Sequence, residues 1–256
     1  MIRQAITLAT YILLEAFRTR FFIIIILLLL AGFGLTAFLG QVAIIEKSAI
    51  QSSLLAAFLR LSAIYIVSLF VITSMVREFS DHSIYLWLSF PLKRSTYLFG
   101  KLSGFATIAA ITAALFGVSL LSYVPYPQVT LWTLSLLCEL FIIATVSLLC
   151  VLTFRQTVSA FSAVLGFYLL ARSITAMQLM VQGPLQNSQS LADQFISGFV
   201  KLLAMLLPNL ERFTQSEWLV YHTGNFSSLV LIGTQTIIYV TLLVAMSLFD
   251  FYRKNL

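Results

Sequence analysis

A chain of 256 residues in which 60% are hydrophobic and only 9% charged, with a mean hydropathy of +1.00, falls outside the range of soluble domains, where about 25% of residues carry charge. It reads as a polytopic membrane protein. The length suffices for about six helical spans of roughly 20 residues and short loops, and leaves no space for a soluble domain of ordinary size, so any domain-sized catalytic engine is expected on another chain. The formal charge of +6 comes without the dense basic cluster or stacked aromatics of a nucleic-acid binder, so no nucleic-acid partner is expected.

From the N-terminus, Ile2, Ile6, Ala9, Leu13 and Phe17 recur at helical spacing while Arg3, Thr7 and Thr10 fall on another face. Residues 1–20 are therefore expected to form an amphipathic helix lying in the membrane interface. The first apolar run begins only at Phe21 and reads as a retained span rather than a signal peptide. Runs long enough to cross the hydrocarbon lie at about Phe21 to Phe38, Leu54 to Val76, Tyr97 to Leu121, Leu131 to Leu152, Val158 to Ala176 and Leu229 to Leu248. Helices satisfy their own backbone in lipid, and a continuous run such as FFIIIILLLLAGFGL has none of the alternation of a barrel strand, so the expected fold class is an all-α bundle of six transmembrane helices. Cys138 and Cys150 share one predicted helix, too far apart to pair, and read as small apolar packing residues.

The connection from about 177 to 228 is too long for a turn. Within it Leu191, Phe195, Phe199, Leu203 and Leu206 form a stripe opposite Asp193, Ser197 and Lys201, ended by Pro208, so this segment is expected to dip into or lie on the outer leaflet. Placing the N-terminus inside puts Arg3, Arg18, Arg20, Arg77, Lys93, Arg94, Lys101, Arg155, Arg253 and Lys254 on the cytoplasmic face, against Lys47, Arg60, Arg172, Lys201 and Arg212 in the outer half and outer loops. Basic residues are retained inside, so both termini are expected in the cytoplasm.

The stretch REFSDHSIYLWLSFPLKRSTYLFGK, Arg77 to Lys101, departs from the hydrocarbon pattern. Arg77 and Glu78 mark the interface after the second span, and Ser80 or Asp81 is placed to cap a short helix carrying Ile84, Tyr85, Leu86, Trp87 and Leu88. Its aromatic area exceeds the needs of a solvated loop. Pro91 sets a turn at Phe90, Lys93 and Arg94 mark the cytoplasmic face, and Ser95 or Thr96 is placed to cap the third span, which Gly100 and Lys101 open. The bland reading is an inner loop whose basic residues only set topology.

At these residues the chain resembles the ABC-2 type permeases, the membrane subunits of a class of ATP-binding-cassette exporters. That family carries an Arg-Glu pair after the second span, a short helix, a Pro with a nearby basic residue, and a Tyr-Leu-x-Gly-Lys opening of the third span. The matching positions here are Arg77, Glu78, Ile84 to Leu88, Pro91, Arg94, Tyr97, Leu98, Gly100 and Lys101. His82 and Ser83 depart from the Gly followed by Thr or Ser of many members. The layout also looks similar to the six-span permeases of copper-enzyme maturation and gliding motility. The resemblance implies a homodimeric or pseudo-dimeric permease in the bacterial cytoplasmic (inner) membrane, with residues 77–96 as a cytoplasmic coupling segment that docks on a separate ATPase subunit. Glu78, Ile84, Tyr85, Leu86, Trp87, Leu88, Pro91 and Arg94 are the expected docking residues. The partners it implies are that ATPase, a second permease copy, membrane lipid and an extracytoplasmic accessory protein. ATP and Mg would be bound by the ATPase.

The chain contains no G-x-x-x-x-G-K-[ST] phosphate loop, H-E-x-x-H helix or G-x-S-x-G elbow, so it is expected to be no enzyme and to hold no cofactor or metal of its own. His82 and His222 fall on opposite sides of the membrane and cannot share a metal site. Three charges lie within spans, Glu139, Arg60 and Arg172. Isolated ions at such depth cost about 2.5 to 3.5 kcal/mol on insertion scales, so Glu139 is expected to pair with Arg172 or Arg60, closing or lining an exit path; the bland readings are a static ion pair, or snorkelling by Arg60 to the outer interface. The competing class is an ATP-independent channel, carrier or assembly scaffold, although no convincing inverted repeat is visible.

Overall fold

The computed structural model describes residues 2–42, 47–81, 94–181 and 191–253, and every regular element among them is helical. In chain order these are α1 (Ile2–Arg18), α2 (Phe21–Val42), α3 (Lys47–Ser80), α4 (Arg94–Leu120), α5 (Tyr126–Phe154), α6 (Thr157–Val181), α7 (Leu191–Leu206), a 3-10 turn (Leu210–Arg212), α8 (Glu217–Val220) and α9 (Phe226–Arg253). Six of them, α2 to α6 and α9, are long and apolar enough to cross a membrane. The fold is a polytopic all-α membrane bundle.

Several helices outrun their apolar cores, because hydropathy marks only the part that dissolves in hydrocarbon. α3 continues through Arg77 to Ser80. Ser80 lies within α3: its hydroxyl donates back to the Val76 carbonyl, and the Asp81 N–H still bonds to the Arg77 carbonyl. α4 starts at Arg94, which puts Ser95 and Thr96 inside its first turn. The expected helix Ile84 to Leu88 and Pro91 lie outside the described residues.

α5 is the hub. It contacts α3, α4, α6 and α9, and its buried side chains, Trp132, Leu136, Leu140, Ile143 and Val151 among them, run along its whole length. α2 is peripheral, with Ile23, Ile26, Leu27 and Leu30 all exposed. It meets α3 through Gly32, where an added Cβ would stand 3.1 Å from the Leu55 side chain and 3.2 Å from that of Phe58. Small residues allow such close backbone approach where lipid supplies no hydrophobic drive between helices.

α1 is anchored differently from its sequence expectation. Leu8, Ile12 and Ala16, four residues apart, are buried, and α1 packs on α4 more extensively than any other helix pair does. Ile6 and Phe17, members of the expected interfacial stripe, remain exposed together with Leu14. α1 thus carries two apolar faces, one against protein and one outward. The chain then turns sharply into α2 at Arg20, a left-handed residue with φ of 59°.

Gly104 makes the α1–α4 contact possible. A Cβ there would meet the side chain of Ile12 and stand 3.2 Å from the Ala9 backbone. Gly104→Ala should therefore destabilise by about 1–3 kcal/mol through overpacking. Gly166→Ala is the control: nothing lies within 4 Å of its Cβ position, so the change should stabilise by up to about 1 kcal/mol through helix propensity. Thermal unfolding of both variants in mixed micelles checks the opposite signs.

Candidate functional site

Two polar clusters lie apart in the bundle, one at its basic end and one in the half toward the far end. The basic end gathers the C-terminus of α3, the N-terminus of α4, the C-terminus of α9 and α1. Glu78, in the last turn of α3, is buried. Its Oε2 accepts a 2.5 Å hydrogen bond from the Tyr97 hydroxyl, and its Oε1 is ion-paired with Lys101 Nζ. Tyr97 and Lys101 are four residues apart on α4, which places both on the face turned to α3. Lys101 is 1% exposed, so it is no free topology charge but the neutralising partner of a buried carboxylate.

Around this clamp the neighbouring helices are tied in. Glu15 of α1 accepts a 2.8 Å bond from the Ser74 hydroxyl and stands 4.0 Å from Arg77. The Tyr97 ring stacks on Phe251 of α9, centroids 5.9 Å apart. Arg94 donates to the Phe251 carbonyl at 3.2 Å with its guanidinium over the same ring. At the α5–α6 turn, left-handed Arg155 sets its guanidinium 5.9 Å from the Phe79 ring. The helix ends that flank the 81–93 connection are thereby fixed to the bundle.

The far end holds Glu139, Arg172 and Arg60 together. Glu139 is fully buried near the midpoint of the 29 residues of α5. Arg172 stands 3.7 Å from it. Both arginines also serve a non-helical segment: Arg172 donates to the carbonyls of Leu210 at 2.8 Å and Phe213 at 3.2 Å, and Arg60 to that of Thr214 at 3.2 Å. The Thr214 N–H donates to Ser135 Oγ at 2.9 Å and its hydroxyl to Glu139 Oε2 at 2.7 Å.

Leu210, Phe213 and Thr214 are buried, so the chain after α7 dips back into the bundle, and the two arginines and Ser135 satisfy backbone that lipid would leave bare. Thr214 adopts φ of 45°, a costly conformation for a β-branched residue that the surrounding hydrogen bonds impose. α7 itself leaves Phe195, Phe199 and Leu206 exposed, with Leu203 half-buried.

Of the sequence-derived site residues, Glu78 and Arg94 share the basic-end cluster, and Glu139, Arg60 and Arg172 share the far one. Ile84, Tyr85, Leu86, Trp87, Leu88 and Pro91 lie outside the described residues. Glu78, expected on a docking surface, is buried against Tyr97 and Lys101. Glu15, Ser74 and Thr214 were missed by sequence reasoning. The one acidic residue of an amphipathic helix was the signal for Glu15, and nothing local marked Thr214.

Fold and clusters together define an integral membrane protein with six candidate spanning helices, which is a plausible architecture for a transporter component. No protein-family model matches the chain, and no curated protein matches its sequence.

Lys101→Met removes one partner of a buried pair and should destabilise by about 3–5 kcal/mol, whereas combining it with Glu78→Gln should recover much of that loss because no uncompensated charge remains. Unfolding of the single and double variants in micelles measures the coupling. At the far end, Thr214→Val loses a hydrogen bond to a charged group and should cost about 1.5–3 kcal/mol, with Thr214→Ser closer to the parent; the same unfolding measurement decides.

Proposed function

We propose that this chain is the membrane permease subunit of an ABC-2 type transporter, forming a dimer and coupling ATP binding and hydrolysis on a separate cytoplasmic ATPase to export or to a signal across the membrane. The observation that carries the reading is that Glu78, Tyr97 and Lys101, which carry its resemblance to that family, meet in one buried clamp, with Arg94 beside it. A clamp at both ends of the 81–93 connection is what force transmission needs. A connection hinged at both ends would absorb a push, whereas one fixed to α3 and α4 passes it to the spans.

In this mechanism closure of the ATPases displaces the segment around Ile84 to Leu88, and the rigid foot converts that displacement into tilting of α3 and α4. Differential binding of the ATPase in its two nucleotide states supplies the free energy. Glu78 and Arg94 position the segment, while Ile84, Tyr85, Leu86, Trp87 and Leu88 make the contact. The basic end then faces the cytoplasm of a bacterial inner membrane, and the far-end cluster of Glu139, Arg60 and Arg172 closes the outward side.

Co-expression with an ATPase bearing a phosphate loop and encoded beside this chain tests the proposal. Leu86→Asp and Trp87→Asp should each abolish most copurification while insertion and dimerisation persist, since burying an unpaired charge in an apolar contact costs several kcal/mol. Retained complex in both variants refutes docking by this segment. Absence of any ATPase complex with the parent chain favours an ATP-independent channel, carrier or scaffold.

A further inference from the structure

Two clefts adjoin at the elbow between α1, α2 and α3, and they share Glu15, Thr19 and Arg77. The inner one, of about 410 Å³, runs along the α2–α3 seam. Tyr65, Leu69 and Thr73 line its α3 wall at four-residue spacing below Arg77, and Ile24 and Leu28 line its α2 wall. From Arg77 to Tyr65 the groove extends about 18 Å at 1.5 Å per residue, close to the ~15 Å hydrocarbon depth of one leaflet. The outer cleft, of about 570 Å³, opens at the basic end among Arg18, Arg77, Glu15, Glu78 and Asp81.

Among the described residues the charges at this mouth are balanced. Glu78 is neutralised by Lys101, which leaves Arg18 and Arg77 against Glu15 and Asp81. The Arg77 side chain is 57% exposed and its contact with Glu15 is a long 4.0 Å, so its guanidinium retains donors for another acceptor. Arg18 has no carboxylate within ion-pair distance among the described residues. A groove of leaflet depth, apolar inside and bearing both signs of charge at the headgroup level, is complementary to an amphiphile whose head is itself a zwitterion.

We propose that this elbow is a binding site for one membrane phospholipid with a primary-amine headgroup. One acyl chain lies between α2 and α3, the phosphate is held by Arg18 and Arg77, and the ammonium by Asp81 and Glu15. Guanidinium groups suit a phosphate because their fork of donors matches its oxygens. The carboxylates discriminate between headgroups, because a primary ammonium donates three hydrogen bonds and a quaternary one none. A net-anionic headgroup gains nothing from Asp81. The inference depends on the membrane-spanning fold and on none of the ATP coupling proposed above.

The test uses the full chain, delipidated in detergent and titrated with dioleoyl phosphatidylethanolamine, the matching phosphatidylcholine or the matching phosphatidylglycerol. Native mass spectrometry counts retained lipid, and thermal unfolding reads stabilisation. The expected result is a single retained phosphatidylethanolamine, at least tenfold preferred over phosphatidylcholine, with a rise in Tm that the other two lipids do not match. Asp81→Asn should reduce that preference to threefold or less, and Arg18→Gln with Arg77→Gln should lose the adduct. Leu69→Trp should block it by filling the groove, whereas Leu30→Trp on the exposed face of α2 should not. Equal retention of all three lipids identifies annular lipid only and overturns the proposal, as do a preference for phosphatidylglycerol or an undiminished adduct in the double arginine variant.

Discussion

The carboxylate of Glu78 is the constraint around which the basic end of this molecule is organised. A buried anion at the end of a membrane helix must be neutralised and hydrogen-bonded, and Lys101 and Tyr97 of α4 do both. Satisfying it fixes the angle between α3 and α4. Tyr97 then offers its ring to Phe251, whose carbonyl takes Arg94, and this brings in α9. Glu15 repeats the pattern one turn earlier on α3, through Ser74 and Arg77, and holds α1.

At the other end the same physics serves a different purpose. An irregular segment around Leu210 to Thr214 lies inside the bundle, and its carbonyls need donors that lipid does not supply. Arg60 and Arg172 are those donors, and Glu139 balances their charge while accepting from Thr214. The arginines that sequence reasoning offered as partners of Glu139 are also engaged with backbone, and Glu139 is fully buried. The stretch from Leu210 to Thr214 is thereby tied to α3, α5 and α6.

The two clusters give α3 a shared role. It contributes Arg60 to the far cluster and Ser74, Arg77 and Glu78 to the basic one, and between them its face forms one wall of the α2–α3 groove. A tilt of α3 therefore bears on both ends and on the groove at once. This is the physical content of the coupling proposed for the chain.

Composition and hydropathy alone determined the class and the number of spans, because crossing hydrocarbon demands long apolar runs whose length reports directly on the bilayer. The Arg77–Glu78 pair and the Tyr97-to-Lys101 opening were legible as a motif, and three charges within spans were legible as needing partners. Tertiary structure alone decided which partners they found. Lys101 read as a cytoplasmic charge until Glu78 was seen 23 residues away in sequence but in contact with it, which removes one free charge from that side without reversing the balance. The α4-facing stripe of α1, Leu8, Ile12 and Ala16, was hidden because apolar residues on both faces of a helix do not say which one meets protein and which meets lipid. Thr214 was invisible for a similar reason. A hydroxyl in an irregular segment acquires its role only when the chain folds back onto Glu139, and no local pattern encodes that return.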